Sequence, residues 1–395
     1  MRLSGDELAR RFKTAKILIA EDDEFIRVML SSILSANGIN NLIFATDGYT
    51  ALRKLESEEP DLVILGIMLK VIDGLDLCAQ VRLNPKFNDL PILVQTALTN
   101  AEERLAAFEV GATDLVNKPI NPREFIARIK LHLENRFLMR DMEQYRHGML
   151  AELNQARQMQ DMILPKNINI DHLEKKYGLK ISAYFETCDI MGGDFWGTKP
   201  ISDSLMGFYI IDCTGHGISA ALNTFRIHAI MNDIDEVEHD LDAARYLTRL
   251  NKKLCELFSP GQFATMFYGI IDIENDKISY SAAATTSPAI LSKDGELKLL
   301  SGEGYQLGVK KKAHFTIEEV PFKRGDKIIL YSDALIENIG IDGQMYGEQR
   351  LVEAVKSNTD AKDGGALLAR IMHDFNRHRK NKLTDDLTIN IYTRL

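Results

Sequence analysis

The sequence predicts an α/β protein in two parts: a doubly wound five-stranded parallel sheet, then antiparallel strands with flanking helices. Short apolar strands alternate with amphipathic helices over residues 16–134, as in the βα units of a parallel sheet. A helical pattern without Gly/Pro/Ser-rich character fills residues 131–164. From residue 180 onward, strand-like runs follow one another through hairpin turns, which is typical of antiparallel sheets.

Length and composition restrict the class of protein. A chain of 395 residues exceeds one ordinary hydrophobic core and predicts two to three domains. The chain is 45% hydrophobic and 27% charged, which is typical of soluble globular proteins. Its formal net charge of −9, with no basic patch, argues against a nucleic-acid partner and fits acidic metal sites and protein partners.

Cysteine usage and hydropathy give further exclusions. The four cysteines show no CxxC spacing, so neither a zinc site nor a disulfide framework is predicted. Residues 1–11 lack the apolar core of a signal peptide, and the longest apolar run, residues 62–69, is too short to span a bilayer. We therefore expect a cytoplasmic protein without a membrane partner.

The first region predicts five βα units in chain order. Gly38 stops the first helix and Pro60 the second, and the apolar runs between helices are short enough for buried strands. The predicted strands are residues 16–20, 42–45, 62–65, 91–95 and 114–116, and the helices are residues 25–37, 50–58, 76–83, 101–110 and 122 onward. The functional site of such a sheet lies at the carboxyl ends of its strands.

Those strand ends carry an acid cluster, a hydroxyl and a lysine: Glu21-Asp22-Asp23, Thr96 and Lys118. Together such groups bind Mg²⁺ and a phosphoryl group. Over residues 14–134 the arrangement resembles the CheY-like receiver domain of two-component response regulators.

One residue of that family pattern is missing. The position that matches the phospho-accepting aspartate is Gly66, which has no carboxylate to phosphorylate. Lys70 stands where a proline is usual, and neither Asp61 nor Asp73 matches as a substitute acceptor. We therefore expect a receiver that docks a partner or holds one fixed state, with the remaining acid pocket serving chiefly to stabilise the loop ends.

Residues 135–164 are predicted as a helical linker. Apolar residues recur at steps of three and four: Leu138, Met142, Tyr145, Met149, Leu153, Ala156, Met159 and Ile163. This stripe predicts either packing on the chain's own C-terminal domain or a coiled coil that joins two copies into a homodimer. Its methionines would make the seam soft, and Pro165 is expected to end the helix.

The C-terminal region predicts strands in hairpins, with paired helices. Turns at Asn275-Asp276 and Asp294-Gly295 join neighbouring strands. The predicted strands are residues 181–187, 205–212, 263–273, 277–283, 289–292, 296–300, 314–320, 327–331 and 387–393, and the helices are residues 218–232, 241–258, 351–357 and 365–377.

Acidic residues lie at the ends of several of these strands. Asp212 begins the turn Asp212-Cys213-Thr214-Gly215-His216-Gly217, and the others are Asp194, Asp333 and the pair Asp385-Asp386. A single such aspartate more often forms a turn. Several brought together would repel one another, and divalent cations with oxygen ligands relieve that repulsion. The pattern therefore predicts a metal site.

Five motifs in this region resemble PPM-type serine/threonine phosphatases of the bacterial SpoIIE/RsbU group. The resemblance covers residues 165–395 and implies an α-β-β-α layered sandwich. The motifs are Met191-Gly192-Gly193-Asp194-Phe195-Trp196, Ile211 to Leu222, Gly304-Tyr305-Gln306-Leu307-Gly308, Arg324 to Asp333, and Thr384 to Ile389.

The resemblance also implies site residues, a cofactor and a partner. Asp212 would bridge two Mn²⁺ or Mg²⁺ ions, with the Cys213 carbonyl, Asp333, Asp385 and Asp194 as further ligands and Asp386 supporting them. His216 would protonate the leaving seryl oxygen or brace its loop. The implied substrate is a phosphorylated STAS-type anti-sigma factor antagonist, whose dephosphorylation by metal-activated water operates a partner switch.

The chain departs from that group at three places. Gly197 stands where a second acid is common, Ala334 where glycine is usual, and Thr285-Thr286 in place of a Gly-His pair. Low activity would be consistent with these changes. Two alternatives therefore stay open: a non-catalytic adaptor whose domains dock partners, and a weak enzyme that mainly sequesters its substrate.

Overall fold

The structure is a computed structural model, and it describes residues 5–97, 101–163, 170–237, 242–380 and 382–395. The chain divides into two compact units, Met1–Met149 and Leu150–Leu395. The predicted boundaries after residues 134 and 164 remain predictions, because the units divide within one long helix. Among the described helices, none has a stretch long and apolar enough to cross a membrane.

The first unit contains the predicted doubly wound sheet. Its five strands are all parallel, in the order β2-β1-β3-β4-β5. Alternating side chains of β1 enter two cores: Leu18 on one face, Ile17 and Ile19 on the other. The elements are α1 (Gly5–Thr14), β1 (Lys16–Ala20), α2 (Glu24–Ala36), β2 (Asn41–Ala45), α3 (Gly48–Glu58), β3 (Leu62–Gly66), α4 (Gly74–Arg82), β4 (Ile92–Thr96), α5 (Ala101–Glu109), β5 (Asp114–Asn117) and α6 (Pro122–Ile163).

Helix α1 was not predicted from the sequence. Its side chains contact α6 far along the chain: Arg11 forms an ion pair with Asp141 at 2.8 Å, and the rings of Phe12 and Phe137 lie 6.3 Å apart. A charged segment that packs through so few apolar residues gives a weak local signal, so only the tertiary contact reveals it.

Helix α6 is one continuous helix of 42 residues. It therefore merges the last helix of the sheet with the predicted linker; the predicted stop at Pro165 lies outside the described residues. Several residues of the predicted stripe are exposed, among them Met142 at 68%, Tyr145 at 77% and Met149 at 49%.

The second unit is the implied α-β-β-α sandwich. Its two antiparallel sheets have the orders β13-β10-β9-β8-β7 and β12-β11-β14-β15-β6. The rings of Phe208 in one sheet and Tyr392 in the other lie 4.9 Å apart in the central core. The elements are α7 (Ile170–Tyr177), β6 (Leu179–Glu186), β7 (Phe195–Pro200), β8 (Leu205–Cys213), α8 (Gly217–Val237), α9 (Ala243–Leu257), β9 (Ala264–Asp272), β10 (Lys277–Ala283), β11 (Ala289–Leu291), β12 (Leu297–Leu299), β13 (Glu318–Pro321), β14 (Lys327–Tyr331), α10 (Asp333–Glu337), α11 (Gly347–Lys356), α12 (Gly364–His378) and β15 (Leu387–Arg394).

Several elements of this unit differ from the prediction. The strand predicted at residues 314–320 is only β13, and α7, β7 and α10 were not predicted. Asp333 does not close a strand as predicted: it is the first residue of α10, after Ser332 as N-cap. This correction matters for the site, because it places a further acid one helical turn away.

Candidate active site

The predicted acids come from one end of the two sheets. Asp194 directly precedes β7, whose first residue pairs with Ile211 of β8, next to Asp212. In the other sheet, β14 and β15 are neighbours; Asp333 follows the first and Asp385 precedes the second. The hydroxyl of Thr388 in β15 donates a hydrogen bond of 2.7 Å to Asp194 and thereby links the two sheets.

Glycine allows the two loops of the first sheet to approach. A Cβ on Gly193 would lie 2.9 Å from the Cys213 carbonyl oxygen and 3.1 Å from that of Gly215. The Cys213 amide donates a hydrogen bond of 3.2 Å to the Gly193 carbonyl. A side chain at residue 193 would push Asp194 away from Asp212, since those distances are shorter than ordinary van der Waals contacts.

Asp386 supports the same loop. Its buried carboxylate accepts hydrogen bonds from the amides of Cys188 at 2.9 Å and Gly193 at 2.5 Å. Asp386 thereby fixes the path of the chain that leads to Asp194, consistent with the supporting role predicted for it. The neighbouring Asp385 accepts a bond of 2.8 Å from the Asp386 amide.

Burial and like charge raise the pKa of each of the four predicted acids. Burial, then the charges of Asp333 and Asp385, raises the pKa of Asp212 to about 8. Burial and the charge of Asp385 raise the pKa of Asp333 to about 6. The pKa of Asp194 is raised by burial and by Asp212, and that of Asp385 chiefly by burial. The site therefore disfavours its own negative charge, which protons or bound cations can reduce.

The donor set fits hard divalent cations, since it offers carboxylate and carbonyl oxygens. The carboxylates of these acids, taken three at a time, lie further apart than the ligands of an occupied metal site. Among the described residues, the one group of three side chains with ligand atoms within 4.8 Å of one another is Cys188, Asp385 and Asp386. The cluster thus brings Asp194, Asp212, Asp333 and Asp385 within electrostatic reach, without three of them converging that closely.

His216 lies at the exposed side of the turn. Its side chain is 61% exposed, and its Nδ1 is 3.5 Å from an Asp189 carboxylate oxygen. Its charge acts on Asp385 and lowers the pKa of that carboxyl, against the dominant effect of burial. Both predicted roles, proton donor and loop brace, are compatible with this position.

A cavity of about 240 Å³ opens beside the acids. Asp212 and Asp333 line it, together with Glu337 at the end of α10. Glu337 was not predicted. It lies one helical turn after Asp333, and its charge raises the pKa of Asp333. The sequence signal for it was the i, i+4 spacing, which is meaningful only once α10 is recognised as a helix.

Comparisons with known proteins agree with this architecture. Residues 17–130 match the family described as response regulator receiver domain, and residues 202–394 match the family described as Stage II sporulation protein E (SpoIIE). The chain therefore contains a response regulator receiver domain at residues 17–130 and a SpoIIE domain at residues 202–394.

Individual relatives cover the two domains separately. The regulatory protein PhoP for alkaline phosphatase synthesis in Bacillus subtilis is 40% identical over 115 residues, 29% of this chain and 47% of PhoP. The chain thus spans about half the length of the curated relatives it matches. The SiaA-PP2C domain of Pseudomonas aeruginosa is 21% identical with a TM-score of 0.56, over 64% of this chain and 98% of that domain. This similarity shows the fold.

In the receiver domain, an acid, Glu21, takes up the space beside Gly66. A Cβ on Gly66 would lie 2.9 Å from Oε2 of Glu21, and the same oxygen accepts a hydrogen bond of 2.9 Å from Lys118. Glu21 is 3% exposed. Thr96 is buried and Asp22 is half-buried at the same strand ends. The predicted loop-end ion pair is therefore present as Glu21–Lys118.

The structure explains one of the three departures of the SpoIIE domain and places the other two. A Cβ on Gly197 would lie 2.3 Å from the Tyr209 hydroxyl oxygen, so the ring of Tyr209 fills the space that an acid side chain at residue 197 would need. Thr285 and Thr286, in place of the Gly-His pair, line the cavity beside Asp212. Ala334 is buried inside α10.

Gln160 is a further residue that sequence reasoning missed. It lies near the end of α6 and is 3% exposed. Its amide nitrogen donates to the Gly192 carbonyl at 2.6 Å and to the Thr224 hydroxyl at 3.2 Å, and its oxygen accepts from the Gly192 amide at 3.2 Å. Gln160 thereby connects α6 and α8 to the loop before Asp194. The only indication of Gln160 in the sequence was that a polar residue lies within the apolar stripe of the predicted linker helix.

Proposed function

We propose that the SpoIIE domain is a metal-dependent phosphatase that removes phosphate from phosphoserine or phosphothreonine in a protein. One observation carries the proposal: carboxylates from both sheets and from α10 lie together with raised pKa values. Such a cluster has little use in a purely structural domain, because it lowers stability unless cations bind. The SpoIIE family match over residues 202–394 supports the same reading.

In this proposal, Asp194, Asp212, Asp333, Asp385 and the Cys213 carbonyl hold two Mn²⁺ or Mg²⁺ ions. When bound, the ions supply the Lewis acidity that activates water for attack on phosphorus. Asp386 holds the Gly193 loop so that Asp194 stays oriented. His216 either donates a proton to the leaving oxygen or braces the turn through Asp189.

The proposed pathway is bacterial partner switching, with a phosphorylated STAS-type anti-sigma factor antagonist as substrate. The family resemblance supports this choice, and the acidic site requires neutralisation before a phosphoprotein can approach. The proposed domains are the receiver at residues 14–134, the helical linker at 135–164 and the phosphatase at 165–395. The receiver regulates without phosphorylation at Gly66, where the acceptor carboxylate is missing.

A homodimer through α6 belongs to the same proposal. Met142, Tyr145 and Met149 expose apolar surface on consecutive turns of one helix, as expected for a coiled-coil seam. Sedimentation of the full chain should show a dimer that Met142→Glu with Tyr145→Glu dissociates, whereas the exposed Gln144→Glu should not. A wild-type chain that sediments only as a monomer contradicts the dimer.

Phosphate release from a phosphoserine protein with Mn²⁺ tests the enzyme assignment. We expect Asp333→Asn to lower the rate by about 100-fold or more, since it removes a proposed ligand. Asp294→Asn, at an exposed hairpin turn, should keep the wild-type rate. Equal background from wild type and Asp333→Asn would instead favour the adaptor, for which the loose spacing of the acids is the supporting observation.

A further inference from the structure

The cavity beside Asp212 is lined by two chemically different sets of side chains. Asp212, Asp333 and Glu337 supply carboxylates, while Thr265, Thr285 and Thr286, here called the hydroxyl wall, supply neutral hydroxyl groups. Among the described residues that line the cavity, none is lysine or arginine. Phosphate sites commonly use such cations, so the groups that could contact a phosphate here are bound metal ions and these hydroxyls.

Strand register fixes Thr265 beside the acids. Thr265 of β9 pairs directly with Asp212 of β8 in the antiparallel ladder. Directly opposed residues of neighbouring strands project to the same face, with Cβ atoms about 5 Å apart. The hydroxyl of Thr265 is therefore a rigid neighbour of the Asp212 carboxylate.

Three hydrogen bonds fix the loop that carries Thr285. The Thr286 hydroxyl donates to the Tyr331 carbonyl at 2.5 Å, and the Tyr331 hydroxyl donates to the Ser287 carbonyl at 2.8 Å. The Thr285 amide donates to the Gly302 carbonyl at 3.0 Å. Ala284, directly before it, has φ of 52°, a left-handed conformation that persists for a non-glycine residue only where the surroundings impose it.

The hydroxyls of Thr265 and Thr285 have no internal use. The Thr286 hydroxyl donates its hydrogen bond to the Tyr331 carbonyl. In contrast, neither Thr265 nor Thr285 makes a side-chain hydrogen bond to another residue in the described part of the chain. Both are half-buried against the cavity. They are thus two free donors of fixed position.

We propose that Thr265 and Thr285 form the phosphate-binding wall of the cavity, and donate hydrogen bonds to phosphate oxygens that the metal ions do not contact. The inference rests on the proposed phosphatase function and names the chain's own groups that receive the phosphate. Because the donors are neutral, the free site remains accessible to cations on its acidic side. The substrate's phosphate is held without a protein cation, so its binding depends on both sets of side chains.

The test uses the full chain loaded with Mn²⁺ and inorganic phosphate as the probe. Paramagnetic relaxation of the ³¹P signal reports phosphate held close to protein-bound Mn²⁺, without any turnover. Thr265→Val and Thr285→Val keep the shape of the side chain and lose its hydroxyl. Thr265→Ser and Thr285→Ser keep the hydroxyl and lose only the methyl group. Thr393→Val is the matched control, since Thr393 is a buried threonine near the opposite end of β15.

Each valine variant should weaken phosphate binding by about tenfold, the usual effect of one hydrogen bond to a charged group. Each serine variant should stay within about threefold of wild type, as should Thr393→Val. Mn²⁺ affinity, measured by electron paramagnetic resonance, should not change, which separates a phosphate contact from a disturbed metal site.

Equal phosphate affinity in wild type and both valine variants overturns the inference, and so does a wild type that binds Mn²⁺ without phosphate. The two proposals can fail separately. A chain that loses phosphate in the valine variants yet releases none from a phosphoserine protein keeps the phosphate-binding wall and refutes the phosphatase.

Discussion

The receiver and SpoIIE domains each place acids at strand ends, but the two clusters are neutralised differently. In the receiver, Lys118 reaches Glu21 at 2.9 Å and the pair is largely buried. In the SpoIIE domain, the charges that act on Asp212 are those of other carboxylates. The receiver acid thus has a cationic partner within the fold, whereas Asp212 lies among like charges that favour its protonated form.

This difference affects how strongly each pocket favours binding a cation. Glu21 already has a cationic partner in Lys118, so it gains less from a bound ion than an unpaired acid would. Acids that repel one another store unfavourable free energy until cations bind, and binding then stabilises the fold. A glycine at residue 66 is compatible with the first arrangement, since Glu21 occupies the adjoining space.

Neutralising one acid in each domain should change stability in opposite directions. Glu21→Gln should destabilise the receiver by about 1–3 kcal/mol, because it leaves a partly buried Lys118 unpaired. Asp212→Asn should stabilise the metal-free SpoIIE domain, because it removes a repelled carboxylate. Urea unfolding of the full chain in EDTA at pH 7.5 measures both, with the exposed Glu56→Gln as control. Destabilisation by both substitutions would contradict the claim that the two acid clusters differ in how their charge is balanced.

Gln160→Leu should sharpen the comparison, because Gln160 on α6 holds the loop before Asp194 of the SpoIIE cluster. The substitution leaves the polar groups of Gly192 and Thr224 without their partner. We expect Mn²⁺ affinity to fall about tenfold, as for other residues that orient metal ligands. Isothermal calorimetry measures it. Gln158→Leu, exposed on the same helix, is the control and should bind Mn²⁺ as the wild type does; equal loss in both variants would assign the effect to the helix.

The pH dependence of stability should be the smallest of these effects. Asp212 has a folded pKa of about 8 and an unfolded pKa of about 3.9. Between these values the folded state binds more protons, so stability in EDTA should fall as pH rises from 6.5 to 8, on the order of 1 kcal/mol.

Burial lowers the folded pKa of His228, so His228 acts in the opposite sense, and its effect fades above its unfolded pKa of about 6.5. Urea midpoints across the range, with Asp212→Asn as control, measure the slope. Asp212→Asn should flatten it, and saturating Mn²⁺ should abolish it because ions replace the protons. A free energy of unfolding that rises with pH in EDTA would contradict the raised pKa of Asp212 in the folded state.

Much of the fold was predictable, because its signals are local. β1 (Lys16–Ala20), β10 (Lys277–Ala283) and β14 (Lys327–Tyr331) begin and end at the predicted residues, since each is an apolar run bounded by turn formers or charges. Helix α10 was missed because five residues are too short for a periodic pattern. β7 was missed because Gly197 interrupts its β-forming residues.

The site residues divide in the same way. Asp212 and Asp385 could be named because aspartate beside glycine or a strand is visible in sequence. Thr265 could not, because its position beside Asp212 depends on the register of two strands that are separated by two helices. Glu21 carried no sign that it would lie against Gly66.

The sequence by itself determined the fold class, the order of most elements and the residue types that can bind a cation, because periodicity and strand-end acids are local properties. Only the tertiary structure decided which charges meet. It paired Glu21 with Lys118, left Asp212 among other acids, and placed Thr265 and Glu337 in the lining of one cavity. Charge interactions depend on distance in space and on burial, and neither quantity can be read from positions along a chain.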